Sequence, residues 1–146
     1  MTTLPPDEAS NLFDRGFYCS QAILCAYSEM FGLDKDTACK IATPFGAGIG
    51  WTGNMCGAVA GALMVIGLKY GNTDPADMDA KKKVFATTQQ FVVEFMDKNA
   101  SINCTDLLGY DLSDPEQRSE ARKCGVTKEK CPVFVKDAVK ILEIIL

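Results

Sequence analysis

The chain has no histidine. That removes the commonest general base, the usual partner of cysteine in zinc sites, and any histidine-ligated haem. It also excludes Ser-His-Asp and Cys-His hydrolases. A block of positive charge is missing too. The formal net charge is -4 and charges of both signs interleave, so no footprint for nucleic acid is expected. Long hydrophobic runs are absent. The longest, Met55 to Leu68, falls below the roughly 18 to 20 residues of a membrane span, and it reads as a buried core helix without membrane insertion. The opening MTTLPPDEAS has neither a basic nor an apolar segment of the kind that marks secretion, which predicts a cytoplasmic protein.

What the chain has in quantity is cysteine, seven in 146 residues. A cytoplasmic setting keeps thiols reduced, so the cysteines point to metal or redox chemistry, and their odd number argues against full pairing into a scaffold. Hydrophobic residues, at 47%, suffice for a packed core without staples. No repeat or linker interrupts the chain, and residues 1–146 read as one domain.

The periodicity is helical almost throughout, which predicts an all-α fold, an irregular single-domain helical bundle. A first helix follows Pro5-Pro6 and runs to about Gly16. A second runs from Cys19 to Phe31 and stops at Gly32, with Ala22, Ile23, Ala26 and Met30 on one face. A third opens at Asp34, a good N-cap, and ends before Pro44. FGAGIGWTGN, Phe45 to Asn54, reads as a flexible glycine-rich loop. The central helix is expected from about Asn54 to Tyr70, closed by Gly71. Asp74-Pro75 has the form of an N-cap and first helical residue, with a stripe of Val84, Phe85, Phe91, Val92, Phe95 and Met96 behind it. Short helices are expected at Cys104 and after Asp114-Pro115, the latter ending near Gly125. A last one is expected from Cys131-Pro132 to the end, burying Phe134, Val135, Ala138, Leu142 and Ile145.

On this reading Cys19, Cys56, Cys104 and Cys131 each lie in or just before a first helical turn. Free N–H groups and the positive end of the helix dipole favour a thiolate there, the form that attacks disulfides and ligates metals. Cys56 in particular is expected to ionise below the ~8.5 of a free cysteine. Gly57 and Gly61, among Ala58, Ala60 and Ala62, would let another backbone approach, as convergence of several helix ends requires; plain tight packing explains them equally well. Cys25, Cys39 and Cys124 read as packing residues. No C-x-x-C occurs, so neither a zinc ribbon nor a thioredoxin motif is present. Gly48 to Gly53 spells G-x-G-x-x-G, but its flanks are helical and no nucleotide is expected.

Taken together, FYCSQAILCAYSEMFGL, FGAGIGWTGNMCGAVAGALMVIGLKYG, NCTDLLGYD and KCPVFVKDAVKIL resemble the C_GCAxxG_C_C family, named for a redox role. Its central motif reads here Cys56-Gly57-Ala58-Val59-Ala60-Gly61. The resemblance maps the signature cysteines onto Cys19, Cys56, Cys104 and Cys131. A related domain occurs in a split-Soret-type cytochrome, where an iron–sulfur centre accompanies haem. This chain lacks C-x-x-C-H and histidine, so haem is not carried over.

Three functions follow. The leading one is an iron–sulfur cluster on the four cysteines, serving electron transfer with a redox partner protein. The second is metal-free thiol–disulfide chemistry, with Cys56 as attacking residue. The third is a structural Cys₄ zinc module. Whether the protein is an enzyme stays open, and the glycine-rich segment could face a second copy in a homodimer.

Overall fold

Pro5 and Pro6 cannot donate backbone hydrogen bonds, and they occupy the first turn of a helix, where none is needed. The computed structural model describes residues 4–146, so Met1 to Thr3 of the expected 1–146 domain lie outside it. Helix α1 spans Pro5–Asp14, with Asp7 and Glu8 at its positive end and Ala9 and Leu12 buried. Helix α2, Cys19–Ser28, is tied at its start by Gln21, whose Oε1 accepts the Tyr18 N–H at 3.0 Å. It continues as a 3₁₀ turn over Glu29–Phe31 and stops at Gly32 in the left-handed region. Ala22 and Ile23 are buried as expected, while Met30 is exposed because the tighter turn rotates it off the face. Helix α3 spans Lys35–Ala42, and the Asp34 carboxylate accepts the Thr37 N–H.

Helix α4, Gly57–Tyr70, begins later than expected, because Met55 is drawn into an antiparallel bridge with Asn103. Gly71, its cap, is extended rather than left-handed. Helix α5 spans Met78–Asn99 and also starts late. Asp77 caps it by accepting the Ala80 N–H, while Asp74-Pro75 forms a preceding turn in which the Asp74 carboxylate accepts from Ala76. Phe91 and Phe95 carry its contact with the core; Phe85 and Met96 face solvent. Helices α6 (Cys104–Leu108) and α7 (Pro115–Cys124) lie where expected, the second capped by Asp114 and ended by left-handed Gly125. Helix α8 spans Val126–Ile145, so it starts well before Cys131 and contains Pro132 in its interior. Phe134, Val135, Ala138 and Leu142 are buried along it.

The domain is all-α, and among the described residues no strand forms beyond the isolated bridge. Helix α2 is the hub, packed against α1, α3, α4 and α8. Its closest neighbour is α4. A Cβ on Gly61 would stand 2.9 Å from the Ser20 carbonyl oxygen, and one on Gly57 3.1 Å from the Ser20 N. The small residues of α4 therefore serve a close helix–helix approach, as the convergence reading requires. No helix among the described residues is long and apolar enough to cross a membrane.

Candidate four-cysteine site

Cys56 and Cys104 are placed by one backbone pairing. The Cys56 N–H donates to the Ile102 carbonyl at 2.7 Å, and the Cys104 N–H donates to the Asn54 carbonyl at 2.6 Å. Both cysteines are buried. Cys56 is the N-cap of α4, and Cys104 is the first residue of α6. Cys19 opens α2, and the glycine face of α4 draws it in: a Cβ on Gly57 would meet the Cys19 Cβ at 3.3 Å. Cys131 comes from the second turn of α8. All four line one cavity of ≈590 Å³, walled largely by apolar side chains, among them Phe17, Leu107, Leu112 and Phe134. Arg118, Arg122 and Lys128 also border it, against one acid, Asp14.

The floor of the cavity is not the flexible loop the glycines suggest. Ala47, Gly48, Ile49, Gly50 and Trp51 all have φ between 54° and 68°, which makes a turn of left-handed helix. Each residue with a side chain is strained there by about 1–2 kcal/mol. The turn is held by Thr52, whose hydroxyl donates to the Gly48 and Ile49 carbonyls, and by the Asn54 N–H donated to the Gly48 carbonyl. Gly48 is indispensable for space as well as dihedral angle: a Cβ there would lie 2.6 Å from the Cys104 Cβ. Trp51 reaches the cavity wall, half exposed, with the Arg118 guanidinium 4.3 Å above its ring.

The protonation pattern corrects the helix-mouth expectation. The Ala58 and Val59 N–H groups do stabilise the Cys56 thiolate, but burial outweighs them and pushes this thiol up to about 11. Burial takes Cys104 to about 12, and the nearby Cys56 and Cys131 add to it. Cys19 is raised well above the ordinary thiol range, first by its interaction with the Cys131 thiol and then by burial. Cys131 moves the other way, lowered by that same interaction. The most acidic thiol of the cavity is thus the one that does not sit at a helix mouth.

Among the described residues, no three His, Cys, Asp or Glu side chains are arranged to hold a single metal ion. Cys19, Cys56, Cys104 and Cys131 all line the cavity, and as thiolates they are the soft ligands that could hold a metal group there.

The remaining cysteines lie elsewhere. Cys25 on α2 and Cys39 on α3 are joined as a disulfide, Cα to Cα 5.9 Å, where packing roles were expected. Adjacent helices bring them together, which their 14-residue separation does not reveal. Cys124 ends α7 exposed rather than packed, its thiol donating to the Tyr110 hydroxyl at 3.5 Å.

Sequence reasoning did not find Arg118, because nothing local marks a cation that stacks on a tryptophan 67 positions earlier. It also misplaced Cys131. Buried Val126 and Phe134, eight apart, share a helical face and carried the signal that α8 starts early.

Comparison with curated proteins and with solved structures finds no match. Among protein families, the one described as "Putative redox-active protein (C_GCAxxG_C_C)" matches residues 17–145. That span takes in all four cysteines of the cavity, and the chain belongs to this family.

Proposed function

We propose that Cys19, Cys56, Cys104 and Cys131 hold an iron–sulfur cluster and that the protein carries electrons to or from a redox partner. The observation that carries this reading is the convergence of four cysteines, from four distant chain segments, on one apolar-walled cavity. Four thiolates are the ordinary ligand set of such clusters, which supply one-electron exchange when bound. The Ala58 and Val59 N–H groups act on the Cys56 sulfur and would stabilise its negative charge. The burial that keeps Cys56 and Cys104 protonated would be offset by a bound cation, which removes thiol protons outright. The cationic rim of Arg118, Arg122 and Lys128 favours an anionic occupant of the same cavity.

The test is anaerobic purification followed by iron, sulfide and zinc analysis. Iron and sulfide in comparable amounts, a brown colour with visible absorption, and their loss in Cys56→Ser or Cys104→Ser are the expected results. Zinc alone, or no metal in anaerobically prepared protein, refutes the reading.

The second reading, metal-free thiol–disulfide exchange, has its own support in the facing Cys19 and Cys131 thiols. Their mutual interaction raises Cys19 and lowers Cys131. In that case Cys131, and not Cys56, is the attacking thiolate.

A further inference from the structure

We propose that Cys25 and Cys39 form a second redox centre, separate from the four-cysteine cavity: a two-electron dithiol/disulfide couple that exchanges with an external dithiol through the Cys39 sulfur. Neither residue lines the cavity. The pair bridges α2 and α3, and the two cysteines differ in access. Cys25 is buried at 3% exposure, whereas Cys39 is half-buried, between fully buried Ala38 and exposed Lys40. An attacking thiolate therefore reaches Cys39 and leaves Cys25 as the departing sulfur.

The surroundings accommodate both oxidation states. Helix α3 is held without the sulfur bridge: the Ser20 hydroxyl donates to the Ala42 carbonyl at 2.8 Å, Ala38 and Ala42 are fully buried, and Lys35 pairs with Glu8 of α1. A reduced pair would thus stay in register, ready to close again. The released Cys25 thiol has an acceptor waiting, the Lys35 carbonyl at 3.7 Å from its sulfur. One side chain also joins the pair to the neighbouring site. Gln21 donates from Nε2 to the Cys39 carbonyl at 3.1 Å and accepts at Oε1 from the Tyr18 N–H, next to Cys19.

The step balances as follows. A thiolate of the external dithiol attacks the Cys39 Sγ and forms a mixed disulfide. The Cys25–Cys39 bond breaks, and Cys25 leaves with the electron pair and takes up a proton. The dithiol's second thiol loses its proton and attacks the external sulfur of the mixed disulfide, and the freed Cys39 is protonated. Two electrons pass to the protein, and the dithiol becomes a disulfide. The reverse sequence oxidises the protein at the cost of an external disulfide.

The experiment is differential alkylation of the native, as-purified protein, with each cysteine read by mass spectrometry. After incubation with oxidised glutathione, Cys25 and Cys39 should be protected together. After reduced dithiothreitol they should become alkylatable together, with the helical circular dichroism unchanged and no denaturant added. In Cys25→Ser, Cys39 should form a mixed disulfide with oxidised glutathione about tenfold or more faster than Cys25 does in Cys39→Ser, since access and thiolate character set the rate. The proposal is overturned if the pair stays reduced in oxidised glutathione. It is equally overturned if the bridge opens only with urea present, which would make it structural, or if the two single variants react at equal rates.

Discussion

Replacing Gly48 by alanine measures how closely the left-handed turn is fitted against Cys104. Two costs add. Alanine in the left-handed region, at φ +66, loses about 1–2 kcal/mol relative to glycine. The new methyl would then lie 2.6 Å from the Cys104 Cβ and 3.1 Å from its Sγ, with the Asn54 N at 3.2 Å. Cys104 is buried and its backbone is pinned to Asn54, so the conflict is relieved by displacement, at about 1–3 kcal/mol for overpacking. Gly50 supplies the control. Its φ is +56, but a Cβ there meets only the Pro44 carbonyl oxygen at 3.7 Å, an ordinary contact. Gly50→Ala should thus lose only the conformational part, about 1–2 kcal/mol. Urea unfolding of both variants, read by circular dichroism, gives the difference, which is expected to be about 1–3 kcal/mol against Gly48→Ala. Alkylation of reduced, metal-free protein should also show Cys104 more reactive in Gly48→Ala than in Gly50→Ala. Equal stabilities together with unchanged Cys104 reactivity would refute the close fit.

Ser20→Ala removes a fully buried hydroxyl and leaves the Ala42 carbonyl without that partner, so a loss of about 1–3 kcal/mol is expected in the same urea assay. In reduced, metal-free protein at pH 8, Cys131 should be alkylated faster than Cys56 and Cys104, since it is lowered while burial raises the others; site-resolved mass spectrometry reads the order, and Cys56 leading would restore the helix-mouth argument. The same protein should lose stability as pH rises above about 8.5, where unfolded thiols ionise. The folded chain keeps its protons up to about 11 at Cys56 and about 12 at Cys104, so the stability these two thiols contribute is complete below 8.5 and falls through that window. Thermal melts at pH 8, 9 and 10 check it, and a flat profile would contradict the burial of both thiols.

Much of this architecture was legible in the chain, because helix signals are local. Asp34, Asp114, Gly32 and Gly125 mark ends that a reader recognises from a few residues, and the structure uses each of them. The cavity's four cysteines were singled out by the family likeness and, for Cys19, Cys56 and Cys104, by their placement at helix starts. What stayed hidden was set by contacts between distant segments. Helix α4 starts at Gly57, three residues past its expected start and capped by Cys56, because residue 103 pairs with Met55. The Cys25–Cys39 bridge depends on how α2 crosses α3. The ionisation order failed for a related reason: placement at a helix mouth is local, whereas the burial that outweighs it comes from the whole fold. The glycine-rich segment misled in a different way. Glycine signals freedom in isolation, yet here the same freedom lets the backbone enter one uncommon, well-fixed conformation.

That conformation has a chirality of its own. From Ala47 to Trp51 the backbone winds as the mirror image of every helix around it. A right-handed helix is the natural state of L-residues, so the usual preference for alanine over glycine reverses in this turn. Alanine, the best residue in an ordinary helix, is a burden at position 47, and glycine, among the worst, is the most comfortable choice. Ile49 is the most costly of all, because branching at Cβ crowds the left-handed backbone further. A residue of inverted configuration would sit there at ease. The floor of the cavity is in this sense a fragment of D-peptide geometry written in L-amino acids, and substitution tables built on ordinary helices will score its glycine-to-alanine changes with the wrong sign.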